Sequence, residues 1–345
     1  MVRHRYDLAS DNTAGICPES WAALEEANAD AVASYGDDRW THRVSELVRE
    51  IFETDCESFF VFNGTAANSL ALAQLCRSYH SIVCHEYSHI ETDECGGPEF
   101  FSAGAKLLPT PGADGKLDLV IVQAMLLKQR ELHSPKPRVI SVTQSTELGT
   151  VYTRDEMSAI AEFARRRSMF LHMDGARFAN AVATLGCSPP EITWRAGVDV
   201  LTFGGTKNGT GGGELVVFFK KELAQEFDYR AKQAGQLASK MRFLAAPWAG
   251  LLRDGIWVEN ARRANASAQE LARKLKEVAG FEPAFPRQAN AVFLHMPETL
   301  VRRLHARGWH FYKFIEPDVY RVMCSWALTG QVIDEFVADV KAAQL

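Results

Sequence analysis

No C-x-x-C pair occurs among the seven cysteines, which stand at positions 17, 56, 76, 84, 95, 187 and 324. Scattered and odd in number, they suit reduced thiols better than a disulfide framework. No run of ~18 apolar residues is present, so no membrane span is expected. The opening stretch MVRHRYDLASDNTAG lacks an apolar h-region, and a cytoplasmic location is expected. Charge of one sign is not in excess either. A net charge of −5 over 345 residues gives nothing that draws the chain to nucleic acid or to a membrane surface. The one basic cluster, Arg165-Arg166-Arg167, reads as a solvated helix face. Repeats and low-complexity segments are also missing. So are the nucleotide signatures: there is no G-x-x-x-x-G-K-[ST], and Gly209–Glu214 fails G-x-G-x-x-G at Glu214 and precedes a strand.

What remains is an ordinary globular composition, 47% hydrophobic and 23% charged, in a chain long enough for about two domains at ~150 residues each. Strand-like runs alternate with helical patterns of about a dozen residues through the first two thirds. The apolar runs are Phe59–Phe62, Ser81–Cys84, Lys106–Leu108, Arg138–Thr143, Met169–Met173, Val198–Phe203 and Leu215–Phe219. Helices are expected from Pro18 to about Ala33, over Thr41–Thr54, after Gly64-Thr65, over Leu119–His133 and over Asp155–Ser168. That alternation predicts an α/β class with a mainly parallel sheet. After Ala246-Pro247-Trp248 the pattern changes. One long or two abutting helices run to about Val278, followed by a smaller α+β unit. The expected division is an N-terminal arm 1–25, a large domain 26–246 and a small C-terminal domain 247–345.

The most informative stretch is VDVLTFGGTKNGTGGGELVVFF, residues 198–219. Two strand-like runs hold Lys207 in a loop almost stripped of other side chains. Glycine lets a backbone approach a ligand closely, and such a lysine suits a phosphate contact or a covalent bond to a carbonyl. Taken alone, G-G-x-K fits a solvated hairpin tip as well. Position adds weight. Gly64-Thr65, His89, Thr146, Asp174 and Lys207 each follow a predicted strand, where a parallel sheet binds its ligand. Gly64 and Thr65 also open a helix, a ready anion cup.

Two chemistries compete for these residues. His85-Glu86-Tyr87-Ser88-His89 matches H-E-x-x-H, which binds zinc when it lies on a helix. Here a strand runs directly into it, so a zinc hydrolase is the remote alternative. One lysine, one strand-end aspartate, one phosphate cup and one histidine instead match the needs of pyridoxal phosphate. Its aldehyde requires an amine, its ring nitrogen a carboxylate, and its phosphate backbone donors.

Met173-Asp174-Gly175-Ala176-Arg177, Asn63-Gly64-Thr65-x-x-Asn68, Tyr35-Gly36-Asp37-Asp38, His89…Glu94-x-Gly96-Gly97 and the lysine loop together resemble the threonine aldolase/β-eliminating lyase family, across nearly the whole chain. T-E-x-G-T-V-Y and F-G-G-T-K-N-G are similar to its low-specificity L-threonine/phenylserine aldolase branch. The resemblance implies the fold-type I (aspartate aminotransferase-like) architecture and a pyridoxal 5'-phosphate cofactor. It implies cleavage of L-β-hydroxy-α-amino acids to glycine and an aldehyde. Another fold-type I activity, β-elimination or aminotransfer, is the nearer alternative. Residue by residue, Lys207 would be the Schiff-base lysine with Thr206 beside it. Asp174 would pair with the ring nitrogen and Arg177 with the ring's phenolic oxygen. Gly64 and Thr65 would hold the phosphate, and His89 would stack on the ring and join in proton transfer. Arg321 would clamp the substrate carboxylate, with Ser10 and Tyr35 near the substrate. A homodimer or homotetramer with sites at the subunit interface is also implied. Two departures stand out. Glu147 occupies the place of a histidine that the family uses near the substrate. The segment 233–242 offers Lys240 or Arg242 for a phosphate contact from a neighbouring subunit; Lys240 is retained in the cofactor set.

Overall fold

The computed structural model describes residues 4–344. Among these residues ten strands form two sheets. The larger contains β1 (Glu57–Val61), β2 (His80–His85), β3 (Lys106–Thr110), β4 (Lys136–Thr143), β5 (Phe170–Gly175), β6 (Val200–Phe203) and β7 (Glu214–Phe218). Their order is β1-β7-β6-β5-β4-β2-β3. The β3/β2, β2/β4, β4/β5 and β5/β6 pairs are parallel, while β7 runs antiparallel to β6 and β1. The smaller sheet is antiparallel, with β10 (Val319–Met323) between β8 (Ala291–His295) and β9 (Tyr312–Ile315).

Both faces of the large sheet are covered, which is why its strands read as continuous apolar runs. Side chains of β7 alternate strictly. Leu215 and Val217 pack with Phe52, Phe178, Phe203, Trp248 and Trp257 on one face, and Val216 and Phe218 with Leu70, Ile82 and Phe227 on the other. The Gly64–Leu75 helix is apolar almost all round and buried along most of its length, as such a pattern requires. The small sheet has its own core, with Leu271, Leu275, Leu294, Trp309 and Phe336 at its centre.

Two helices are shorter than their patterns predict. The first covers Pro18–Ala27, because beyond it Asn28 and Asp30 compete for the backbone and no apolar stripe continues. The Leu119 helix stops at Leu127. Lys128 to Glu131 have nothing to bury, and a separate turn covers Glu131–His133. The C-terminal pattern resolves as two abutting helices, Arg242–Leu252 and Ile256–Ala279, joined by a turn at Arg253–Gly255. Among the described residues, no helix is long and apolar enough to cross a membrane.

Candidate active site

The lysine loop is indeed a hairpin tip, between β6 and β7, but it is not a solvated one. A short turn at Thr206–Asn208 lies on the indole of Trp248. A β-carbon added at Gly205 would sit 2.5 Å from that ring, so no larger residue fits there. Gly209 turns the chain with φ +125°, open mainly to glycine. Asn208 locks the loop to the long helix: its Nδ2 donates to Trp257 O at 2.8 Å, and its carbonyl accepts from Asn260 Nδ2 at 2.9 Å. Behind the lysine, the buried Glu214 accepts from the Gly205 amide at 2.5 Å. Burial raises the Glu214 carboxyl even though the Gly205 and Thr206 amides donate to it.

Lys207 therefore faces a cavity of about 520 Å³ at the carboxyl ends of the parallel strands, bounded on its far side by the small sheet. Ser10, His89, Glu147, Arg177 and Arg321 share that lining with Lys207. Asn12, Tyr87 and residues 312–314 of β9 complete much of the wall. Asp174 lies buried at the end of β5. Its Oδ1 accepts from the Ala176 amide at 2.9 Å and its Oδ2 from Asn68 Nδ2 at 2.8 Å. Thr206 is half-buried next to Lys207. Gly64 and Thr65 begin their helix under an Asn63 cap, whose Oδ1 accepts from the Ala66 amide at 2.9 Å. That leaves the first two helix amides for an anion.

Tyr35 and Lys240 are not part of this cavity within one chain. They belong to a separate exposed patch, where the Tyr35 amide donates to Ser239 O at 3.0 Å and Lys232 lies over the Tyr35 ring at 4.6 Å. The H-E-x-x-H motif bends out of β2 into a turn instead of lying on one helix. His85 is fully engaged, its Nε2 donating to Gly112 O at 3.0 Å and its Nδ1 accepting from the Tyr87 amide at 3.1 Å. Among the described residues, no group of three or more metal-ligating side chains forms a metal site.

Several residues of the site carried no assigned role in the sequence. Asp11 grips Arg177 through two bonds, Nε to Oδ2 at 2.7 Å and Nη2 to Oδ1 at 3.0 Å. Asn290 Nδ2 donates to the same carboxylate at 3.0 Å. Burial alone would raise the Asp11 carboxyl. The charge and hydrogen bonds of Arg177, with help from Lys207 and Asn290, hold it down at about 2 instead. Asn68 bridges two carboxylates, since its Nδ2 donates to Glu94 Oε1 at 2.8 Å as well as to Asp174. His89 Nδ1 stands 2.9 Å from that same Glu94 oxygen. Burial opposes a charged His89, but Glu94, Glu147 and Asp174 together raise it above its ordinary value. Burial raises Glu94, against the hydrogen bonds from His89 and Asn68. Under the sheet, His172 is held neutral by burial, between Ser141 Oγ at 2.9 Å and Thr202 Oγ1 at 3.3 Å. The signal for Asn68 was its place in the motif Asn63-Gly64-Thr65-x-x-Asn68. Asp11 had none beyond its neighbour Ser10.

The donor set fits pyridoxal phosphate. Arg321 Nε is buried without a partner, an arrangement that costs free energy unless a ligand accepts from it. An amine, a fixed carboxylate and open helix amides accompany it.

Residues 7–299 match the family model described as beta-eliminating lyase. The chain is 55% identical to the low specificity L-threonine aldolase of Pseudomonas aeruginosa, over 99% of each chain. It is 54% identical to the enzyme of that name from a Pseudomonas sp., again over 99% of both. Among solved structures, a threonine aldolase of Leishmania major superposes with a TM-score of 0.90 at 26% identity, covering 97% of this chain and 98% of that one.

Proposed function

The chain belongs to the β-eliminating lyase family, and from that membership we propose that it is a pyridoxal-phosphate-dependent aldolase. Its reaction would be the reversible cleavage of L-β-hydroxy-α-amino acids, of the threonine, allo-threonine and phenylserine type, to glycine and an aldehyde. The family match and the near-full-length likeness to L-threonine aldolases support this reading. So does the fold, which is the fold-type I architecture. The observation that carries it is one cavity shared by the Lys207 amine, the His89 ring and the unpartnered Arg321 Nε.

In this reading Lys207 and Thr206 hold the cofactor on the hairpin side. Gly64 and Thr65 take its phosphate with their amides, Asp174 its ring nitrogen, Arg177 its phenolic oxygen, and His89 stacks on its ring. When bound, the cofactor supplies an aldehyde for the substrate amine and an electron sink for the bond that breaks. Arg321 receives the substrate carboxylate, a role for which a guanidinium fork is suited. Burial and the like charge of Arg177 lower Arg321, which favours an anionic ligand beside it. Ser10, in the cavity lining, is assigned to the substrate side. His89 and Glu147 both face the space where a β-hydroxyl would lie. Because its neighbours raise His89, that ring is protonated more readily and suits proton donation, while the Glu147 carboxylate suits proton acceptance.

Tyr35, 51% exposed, and Lys240 are assigned to the site of a second copy, so the active form would be a homodimer or homotetramer. The division 1–25, 26–246 and 247–345 belongs to the same reading and is supported by two sheets with separate cores. A cytoplasmic location accords with the scattered free cysteines.

The test is a visible spectrum of the wild type and of Lys207→Ala with added cofactor, followed by product analysis with phenylserine or threonine. Yellow wild-type protein that releases glycine and an aldehyde is expected. A 2-oxo acid as product would move the assignment to an aminotransferase or eliminating lyase. Mixing inactive Lys207→Ala with inactive Lys240→Ala chains should restore part of the activity, since one hybrid site is intact.

A further inference from the structure

Resting on the aldolase reading, we propose that Glu94 is a positioning residue that fixes the tautomer and charge of His89, with Asn68 holding the Glu94 carboxylate in place against Asp174. The chain of contacts is continuous. His89 Nδ1, Glu94 Oε1, Asn68 Nδ2 and Asp174 Oδ2 are linked at 2.9, 2.8 and 2.8 Å. An ionised carboxylate only accepts, so the hydrogen on this bond belongs to His89 Nδ1. Nε2 is then the ring nitrogen left for the cavity. Asn68 has two amide hydrogens and gives one to each carboxylate, which keeps two buried acids apart with both satisfied on that side.

The arrangement is costly for packing alone. The Glu94 side chain is completely buried, and Glu94 Oε2 and Asn68 Oδ1 have no partner. Replacing such groups by apolar side chains of the same shape is commonly neutral or stabilising. The acid earns its place through the imidazole that it faces. Three carboxylates act on that ring: Glu94 from its own turn, Glu147 from the turn after β4, and Asp174 from β5. The cavity lining also carries the cations Lys207, Arg177, Lys313 and Arg321. Glu94 is the only one of the three acids in direct hydrogen-bond contact with the ring. It therefore decides whether His89 enters the reaction as a proton donor, complementary to Glu147 as acceptor.

The test uses the full-length protein labelled with 15N-histidine and titrated by NMR without added cofactor or substrate. The His89 signal is identified by its loss in His89→Asn. In the wild type, the deprotonated ring should show the Nδ1–H form. Glu94→Gln should lower the His89 midpoint by about one to two pH units, the usual effect of removing an adjacent opposite charge. Glu94→Asp should restore most of it. Asn68→Ala keeps the charge but frees the carboxylate, so it should lower the midpoint by less. In the cofactor-loaded enzyme, the limb of the kcat/KM–pH profile that follows His89 should move in parallel. An unchanged His89 midpoint and tautomer in folded Glu94→Gln would overturn the proposal. If Glu94→Gln does not fold, an unchanged midpoint in Asn68→Ala does the same. Failure of the wild type to form glycine would sink the aldolase reading and leave the NMR result standing, so the two failures are distinguishable.

Discussion

The two ends of the seven-stranded sheet invite comparison. At the amino ends lie two cavities of about 710 and 690 Å³, which share Arg138 and Phe170 in their walls. At the carboxyl ends lies one of about 520 Å³. The larger spaces carry many charges, including Arg77, Arg138 and Arg230. Arg138 nevertheless stacks on Phe170 at 4.2 Å, and Arg230 donates to Gln74 at 2.9 Å. Those side chains dress the sheet's margin. The smaller space gathers two amines, an imidazole, two carboxylates and two guanidiniums from six separate segments, several fixed by buried partners. Convergence of fixed groups, not volume, marks the site, as expected where strand ends and following loops meet.

Four substitutions would break or sharpen that contrast. Lys207→Ala should have the largest effect: aldolase activity falls to background and the cofactor absorbance of the lysine-bound form disappears, both read in one spectrophotometric assay. Asp11→Asn comes next. It leaves Arg177 buried with a neutral partner, and breaking a buried ion pair costs ~3–5 kcal/mol, measured as a drop in the urea midpoint. The same pair predicts a pH dependence. Asp11 sits at about 2 in the fold against an ordinary 3.8, so its stabilisation, about 2 kcal/mol, is complete above roughly pH 4 and is lost as pH falls through 2. His172, held neutral by burial, adds an earlier loss of stability as pH drops below its ordinary value, because the unfolded chain takes up the proton first. Urea midpoints of the wild type and Asp11→Asn should converge at the acid end.

Arg321→Lys should follow, replacing a fork by a point charge. A lost charge-assisted hydrogen bond of ~1.5–3 kcal/mol corresponds to a rise in KM of roughly 10- to 100-fold, with a smaller change in kcat. Smallest of all is Arg138→Ala at the opposite end of the sheet. Loss of its stacking on Phe170 should cost ~0.5–1 kcal/mol of stability, with kcat/KM unchanged within about twofold. A large kinetic effect there would show that the amino-end cavities are not bystanders.

Much of this was legible in the sequence, and the reasons are physical. Lys207 and Asp174 could be read because local pattern fixes both: each ends a strand, and a strand end in a parallel sheet has a known destination. The resemblance brought in Arg321 and Glu147, which share a cavity with Lys207. Asn68 and Glu94 stood in the quoted motifs without roles, since a hydrogen bond between residues 26 apart leaves no periodic trace. Asp11 carried no role because its partners, Arg177 and Asn290, are distant in the chain. Tyr35 and Lys240 show the reverse limit: the resemblance named them for the site, and within one chain both lie outside the cavity. Helical pattern continues past Ala27 and Leu127, but the helices end there because the polar residues beyond have nothing left to bury.

The Asp11 contacts also have a bearing on time. Its carboxylate reaches Arg177 across 166 residues and Asn290 across 279, and closing such long loops is slow. A nascent chain can complete its large sheet while still lacking the C-terminal clasp that steadies Arg177. The candidate-site cavity would then be among the last features to appear, and in refolding from urea the return of activity should trail the return of helical circular dichroism.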